Sequence, residues 1–225
     1  MHLPKFLRFL SESRFQQSDG LPYWRERIFN GILFAVFVFG SLAIIPNLIA
    51  ALKAEMYSIF VIDSLIFLTV LAVVFIRTIN LKIKVYTLIF SFYFLGIFLL
   101  VTMGPFGPGL IWIVCSSVLI ALMLYFNRTL FSIAFNCLIF IILSLLIHFK
   151  ISNTPFFTSY TTFSWIAIGL NVLVISAVCS IPVSILIVGL EKTANEEKKL
   201  KQQLIERNEQ LLEEMVKAKE ADKLK

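Results

Sequence analysis

Asp63 is the only Asp, Glu, Lys or Arg inside the six long apolar runs of this sequence. A carboxylate at the middle of such a segment costs at least about 2.5 kcal/mol on insertion scales, so it needs a reason to be there. Three chemistries fit: holding a ligand, responding to protons, or bonding a neighbouring helix. Asp63 lies roughly 9 Å along its run from Tyr57 at the helical rise of 1.5 Å per residue. Asn47, Trp112, His148 and Asn171 fall at similar depth in other runs, Asn171 roughly 12 Å in. Asp63, His148 and Asn171 are therefore expected to line a pocket, with Asn47 and Trp112 as further candidates. Each of the others also has a plain role open to it, Trp112 as an interfacial aromatic and Asn171 as an interhelical bond.

No catalytic residues are expected. The sequence holds no P-loop, no Ser-His-Asp set and no metal-ligand spacing, so it predicts no metal and no cofactor in this chain. Cys115, Cys137 and Cys179 lie within apolar runs without a CxxC spacing, and read as small apolar side chains.

The elements that must position these residues are helices. Of the 225 residues, 59% are hydrophobic and only 15% are charged, against about 45–50% and about 25% in soluble domains. A soluble fold of this size cannot hide so much apolar surface. The runs cover 28–50, 57–76, 85–103, 109–126, 130–149 and 163–190, each near the length that spans a bilayer. The expected fold is an all-α membrane protein, a six-helix transmembrane bundle whose last helix continues into a cytoplasmic coiled-coil helix. Its expected parts are an interfacial N-terminal segment (1–27), a six-helix transmembrane domain (28–190) and a cytoplasmic coiled coil (191–225). Leu3–Leu10 is short, basic and apolar; it reads as a frayed end or as a segment lying on the inner leaflet.

Orientation follows from the cations. Eighteen of the twenty Lys and Arg residues fall in the N-terminal segment, the second and fourth connections and the tail, leaving Lys53 and Lys150 opposite. The positive-inside rule then puts both termini in the cytoplasm. The connections on the other side are too short for a separate binding domain, so any stimulus must enter the bundle or be a property of the bilayer. A cavity lined by Phe, Ile and Leu with a few polar groups suits a small amphipathic molecule.

After Gly189 neither Gly nor Pro occurs to Lys225, and Glu, Lys, Gln, Leu and Ala dominate, a composition that favours helix. Leu204, Asn208, Leu211 and Met215 recur at heptad spacing. They predict a short, marginal, parallel coiled coil and hence a homodimer through 191–225. The tail carries as many acidic as basic groups, so no nucleic-acid partner is expected. Pro182 removes a backbone bond near the end of the last run and predicts a kink. With Gly189 it is a candidate for passing motion into the tail.

Six spans, almost no outer loops and a charged helical tail resemble the membrane sensor module of bacterial two-component histidine kinases. Some diguanylate cyclases carry similar modules. The turn Gly104-Pro105-Phe106-Gly107-Pro108-Gly109 before Trp112 is similar to that six-helix family, and the stretch from Glu214 to Lys225 is similar to the run-up to a phosphoacceptor helix. In that family a His-Glu-x-x-Arg-Thr-Pro segment follows. Neither His2 nor His148 stands in such a segment. The resemblance implies a signal-transducing input module that acts on a downstream kinase domain in a phosphorelay. A small transporter or channel and a membrane scaffold without a stimulus are the alternatives. One buried carboxylate and no paired Gly/Pro breaks at the midplane argue against transport.

Overall fold

A computed structural model of the chain describes residues 21–76, 78–105, 107–150 and 160–223. The stretch Leu3–Leu10 and most of the connection 150–162 lie outside the described residues. Of the described residues 91% are helical and none is in a strand. The helices are α1 (Leu21–Lys53), α2 (Tyr57–Phe75), α3 (Leu81–Met103), α4 (Gly109–Met123), α5 (Phe126–His148) and α6 (Thr162–Lys223). Five of them are long and apolar enough to cross a membrane, and α4, with 15 residues, is a shorter apolar helix. At 1.5 Å per residue α4 reaches roughly 22 Å, short of the ~30 Å hydrocarbon core.

The shortening comes from the backbone. Leu124 (φ −113°, ψ −175°) and Tyr125 (φ −81°, ψ 159°) are both extended, so the chain reverses within an apolar run that shows no break in sequence. Arg128, expected in a loop, falls in the first turn of α5. Asn47, three residues from the end of its apolar run, sits inside α1, which runs on to Lys53. Helix also continues through Pro46 and Pro182; neighbouring helices and local adjustment make such prolines tolerable in apolar helices.

Two turns are built on left-handed residues. Gly104 has φ 75° at the end of α3, and the amide of Gly107 donates to its carbonyl at 3.1 Å. Glu55, after α1, has φ 57°. There the Met56 amide donates to Ala51 O (2.9 Å) and the Glu55 amide to Leu52 O (3.1 Å), the bond pair of a Schellman cap.

The chain divides into two compact units, Met1–Ile185 and Leu186–Lys225, and α6 contributes residues to both. The first unit holds the core. Phe29, Leu33, Leu88, Leu100, Ile113 and Trp165 are almost wholly buried. A smaller cluster gathers Ala51, Ile59, Ile66, Leu95 and Leu99. Phe39, Leu65, Phe90, Phe131 and Val178 are exposed, the surface expected of a protein solvated by lipid. At the start of α1 the Arg27 guanidinium lies over Trp24 (5.5 Å) and Tyr23 (5.9 Å) and donates to Tyr23 Oη at 3.1 Å. Amphipathic rings of this kind sit at membrane interfaces.

In the second unit the described side chains of the helix, including Leu200, Leu204, Leu211 and Met215, are largely exposed. Lys192 Nζ and Glu196 Oε1 stand 4.0 Å apart, an exposed i,i+4 pair worth little by itself.

Candidate functional site

A cavity of about 750 Å³ lies in the first unit, with walls from α1, α2 and α3 and with Trp112 of α4 on its lining. Its origin is legible in α1. Ala35, Gly40, Ala43, Ala50 and Ala51 all face it, on the one side of the helix that the lining positions 35, 36, 39, 40, 43, 44, 47, 50 and 51 trace at helical spacing. Small side chains there leave space that Phe39, Phe67, Phe92 and Trp112 border without filling. The face of α2 that meets it is set by Ile59, Asp63, Ile66 and Val70 at the same helical spacing.

The lining is apolar with two polar exceptions carrying full hydrogen-bonding groups, Asn47 and Asp63. Asp63 is half-buried, is the only charged residue on the lining, and has no hydrogen-bond or ion-pair partner among the described residues. Ser64, next to it, spends its hydroxyl on Phe60 O at 2.7 Å. Trp112 packs on Phe92 with ring centroids 4.8 Å apart, and its carbonyl accepts from Ser116 Oγ at 2.9 Å.

Of the five candidate signal-binding residues, Asn47, Asp63 and Trp112 thus share one cavity. His148 and Asn171 do not line it. His148 is exposed at the end of α5 with its ring against Phe149, centroids 5.3 Å apart. Asn171 is exposed on α6, where its Nδ2 donates to Ala167 O of its own helix at 3.0 Å. Equal depth along a helix says nothing about which way a side chain points, and both residues sit on other faces.

A second polar feature lies in the interior on the far side of α3. Tyr93 donates from its hydroxyl to Asn136 Oδ1 (3.0 Å) and shares a hydrogen bond with Ser132 Oγ (2.8 Å). Asn136 Nδ2 donates to Ser117 Oγ (2.8 Å) and to Ser176 Oγ (3.3 Å). Ser132 donates to Ser117 at 3.0 Å. The carboxamide of Asn136 therefore uses its acceptor and both donors, and one network joins α3, α4, α5 and α6. Two turns along, Thr129 Oγ1 donates to Ser184 Oγ at 3.2 Å. Between these contacts Ser180 Oγ is buried without a partner. The pairs 136–176 and 129–184 give α5 and α6 an antiparallel register. In the sequence Ser132, Asn136 and Ser144 are legible only as polar packing positions of one apolar run, and nothing there pairs them with Tyr93, Ser117 or Ser176. The available signal was the spacing of Ser176, Ser180 and Ser184 at four-residue intervals, a polar helical face inside an apolar run.

The α3–α4 pair lies between cavity and network. Phe92 faces the cavity, and Tyr93, the next residue, is the hub of the network. The two helices touch backbone to backbone at Gly96 and Gly109: a Cβ on Gly109 would stand 2.6 Å from Gly96 O and 2.8 Å from Leu100 N. Such contact holds α3 and α4 closely against one another, with Phe92 and Trp112 toward the cavity and Tyr93 and Ser117 in the network.

The candidate transmission residues lie on α6. Pro182 is exposed, and a side chain at Gly189 would meet nothing within 4 Å. Thr193 Oγ1 donates to Gly189 O at 3.1 Å. Leu204, Asn208, Leu211 and Met215 are exposed on the helix of the second unit. Among the described residues no His, Cys, Asp and Glu cluster could hold a metal ion.

The sequence profile of MASE11, a family of membrane-associated sensor domains, matches residues 23–190, about three quarters of the chain. No curated protein and no solved structure matches it.

Proposed function

The chain belongs to the MASE11 family of membrane-associated sensor domains, and from that premise we propose that it senses a small amphipathic molecule in the cavity over Asp63 and relays the event to a cytoplasmic output domain. The observation that carries this reading is the cavity itself, a ligand-sized apolar space in which Asp63 has no partner among the described residues. Structural carboxylates in apolar surroundings are normally paired. Occupation of the cavity displaces Phe92 and Trp112, the α3–α4 body carries Tyr93 and Ser117 with it, and Asn136 and Ser176 pass the shift to α5 and α6. The network has alternative hydroxyl partners at Tyr93, Ser117 and Ser132. That supports two arrangements of similar energy, as a switch requires.

The output domain in this reading is a histidine kinase, controlled by a homodimer through 191–225, with both termini in the bacterial cytoplasm. The charged stretch Glu214–Lys225 and the asymmetry of Lys and Arg support it. The test has two arms. Reading the gene past codon 225 should give an in-frame His-Glu-x-x-Arg-Thr-Pro segment; a diguanylate cyclase signature or a stop codon there refutes the kinase output. In the native full-length protein, Asp63→Asn should abolish the response of autophosphorylation to stimulus while leaving membrane insertion intact. An unchanged response removes Asp63 from sensing.

A further inference from the structure

We propose that the cavity selects a cationic amphiphile, a molecule carrying an ammonium group on an apolar body, with Asp63 as its counter-ion. This rests on the reading of the cavity as the sensing site and adds the charge of its ligand.

Among the described residues Asp63 is the only charged one on the lining, and no Lys, Arg or His lines the cavity. It has no hydrogen-bond or ion-pair partner among the described residues. The fold therefore leaves a carboxylate in a low-dielectric space with nothing to offset its desolvation, a cost that a cationic ligand offsets on entry. An anionic amphiphile meets repulsion from Asp63 and no compensating cation. The rest of the wall suits the same ligand. Phe39, Phe67, Phe92 and Trp112 offer π faces, which attract cations once water is excluded. The Asn47 carboxamide oxygen can accept from an ammonium N–H. A volume of about 750 Å³ is within the range that takes drug-sized ligands, leaving room for an apolar body among Ile44, Ile66 and Leu95. The ammonium group could belong to a free amine or to the headgroup of phosphatidylethanolamine; the chemistry at Asp63 is the same.

The test uses the full chain in nanodiscs of phosphatidylglycerol, which holds no amine. Trp fluorescence is titrated with 12-bromododecylammonium and with 12-bromododecanol, whose bromine quenches on contact. Trp112 lines the cavity, whereas Trp24 and Trp165 do not, so Trp112→Phe identifies the saturable component. The ammonium compound should bind at least tenfold more tightly than the alcohol, about 1.4 kcal/mol. Asp63→Asn should bring it down to the affinity of the alcohol and leave alcohol binding unchanged, which also shows that the variant is folded. Adding phosphatidylethanolamine to the discs should weaken apparent binding of the amine if the lipid headgroup is the natural occupant, and leave it unchanged if a free amine is; either result keeps the ligand class. Equal, saturable affinities for amine and alcohol overturn the charge selection while the cavity stands as a binding site. Quenching by neither compound overturns the cavity reading together with it.

Discussion

The close approach of α3 and α4 at Gly109 gives the sharpest prediction. Gly109→Ala places a methyl group 2.6 Å from Gly96 O and 2.8 Å from Leu100 N. Both obstacles are backbone atoms and cannot turn aside. Ordinary contact begins near 3.4 Å, so α3 and α4 must separate by roughly 0.8 Å or tilt, breaking dispersion contacts along a densely packed pair. Overpacking of this kind typically costs about 1–3 kcal/mol. Gly96→Ala meets Ile113 Cγ1 at 2.9 Å, Gly109 O at 3.0 Å and Ile113 N at 3.2 Å, a milder clash partly with a side chain, so it should cost less. Gly31→Ala, with nothing within 4 Å, should cost nothing and gain from helix propensity. The assay is SDS-titrated unfolding of the detergent-solubilised chain followed by Trp fluorescence. The expected order of destabilisation is Gly109→Ala, then Gly96→Ala, then Gly31→Ala. The double variant at 96 and 109 should lose less than the sum, because one separation of the helices relieves both clashes. Equal stabilities for Gly109→Ala and Gly31→Ala would refute the close crossing, and with it the α3–α4 body that joins cavity and network.

Three further outcomes follow from the same physics. Tyr93→Phe should destabilise by about 1 kcal/mol, in the range of interhelical hydrogen bonds in membranes, and a cycle with Asn136→Leu should show coupling of about 0.6 kcal/mol; additive losses would mean that the two side chains do not bond. Ser180→Ala removes a buried hydroxyl that has no partner, so SDS unfolding should show stability unchanged or raised by up to about 1 kcal/mol, and a clear loss would reveal a bond that Ser180 makes. Glu55→Gly relieves a left-handed non-glycine residue (φ 57°) and should stabilise by about 1 kcal/mol in the same assay, a gain that would be absent if the Schellman turn did not form.

Much of the architecture was legible in the residues, because apolar runs near the length of a bilayer can satisfy their backbone only as helices. The low charge and the long apolar runs fixed the class of solvent, and the tail's composition fixed a helix after Gly189. Asp63 stood out for the same reason, a charge where a charge is expensive. What the runs hid was rotation and length. Because they are apolar all around, periodicity did not say that Asn47, Asp63 and Trp112 face one cavity while His148 and Asn171 face elsewhere. Nor did it say that the fourth run breaks at Leu124 and Tyr125 and yields a helix of only 15 residues. The polar network was half visible, as Ser176, Ser180 and Ser184 at helical spacing, yet Tyr93 and Ser117 acquired their roles only when four helices met. Sequence determines which segments leave water, since that depends on each segment's own transfer free energy. Tertiary structure decides which polar groups meet, since that depends on the rotation of each helix against partners distant in the chain.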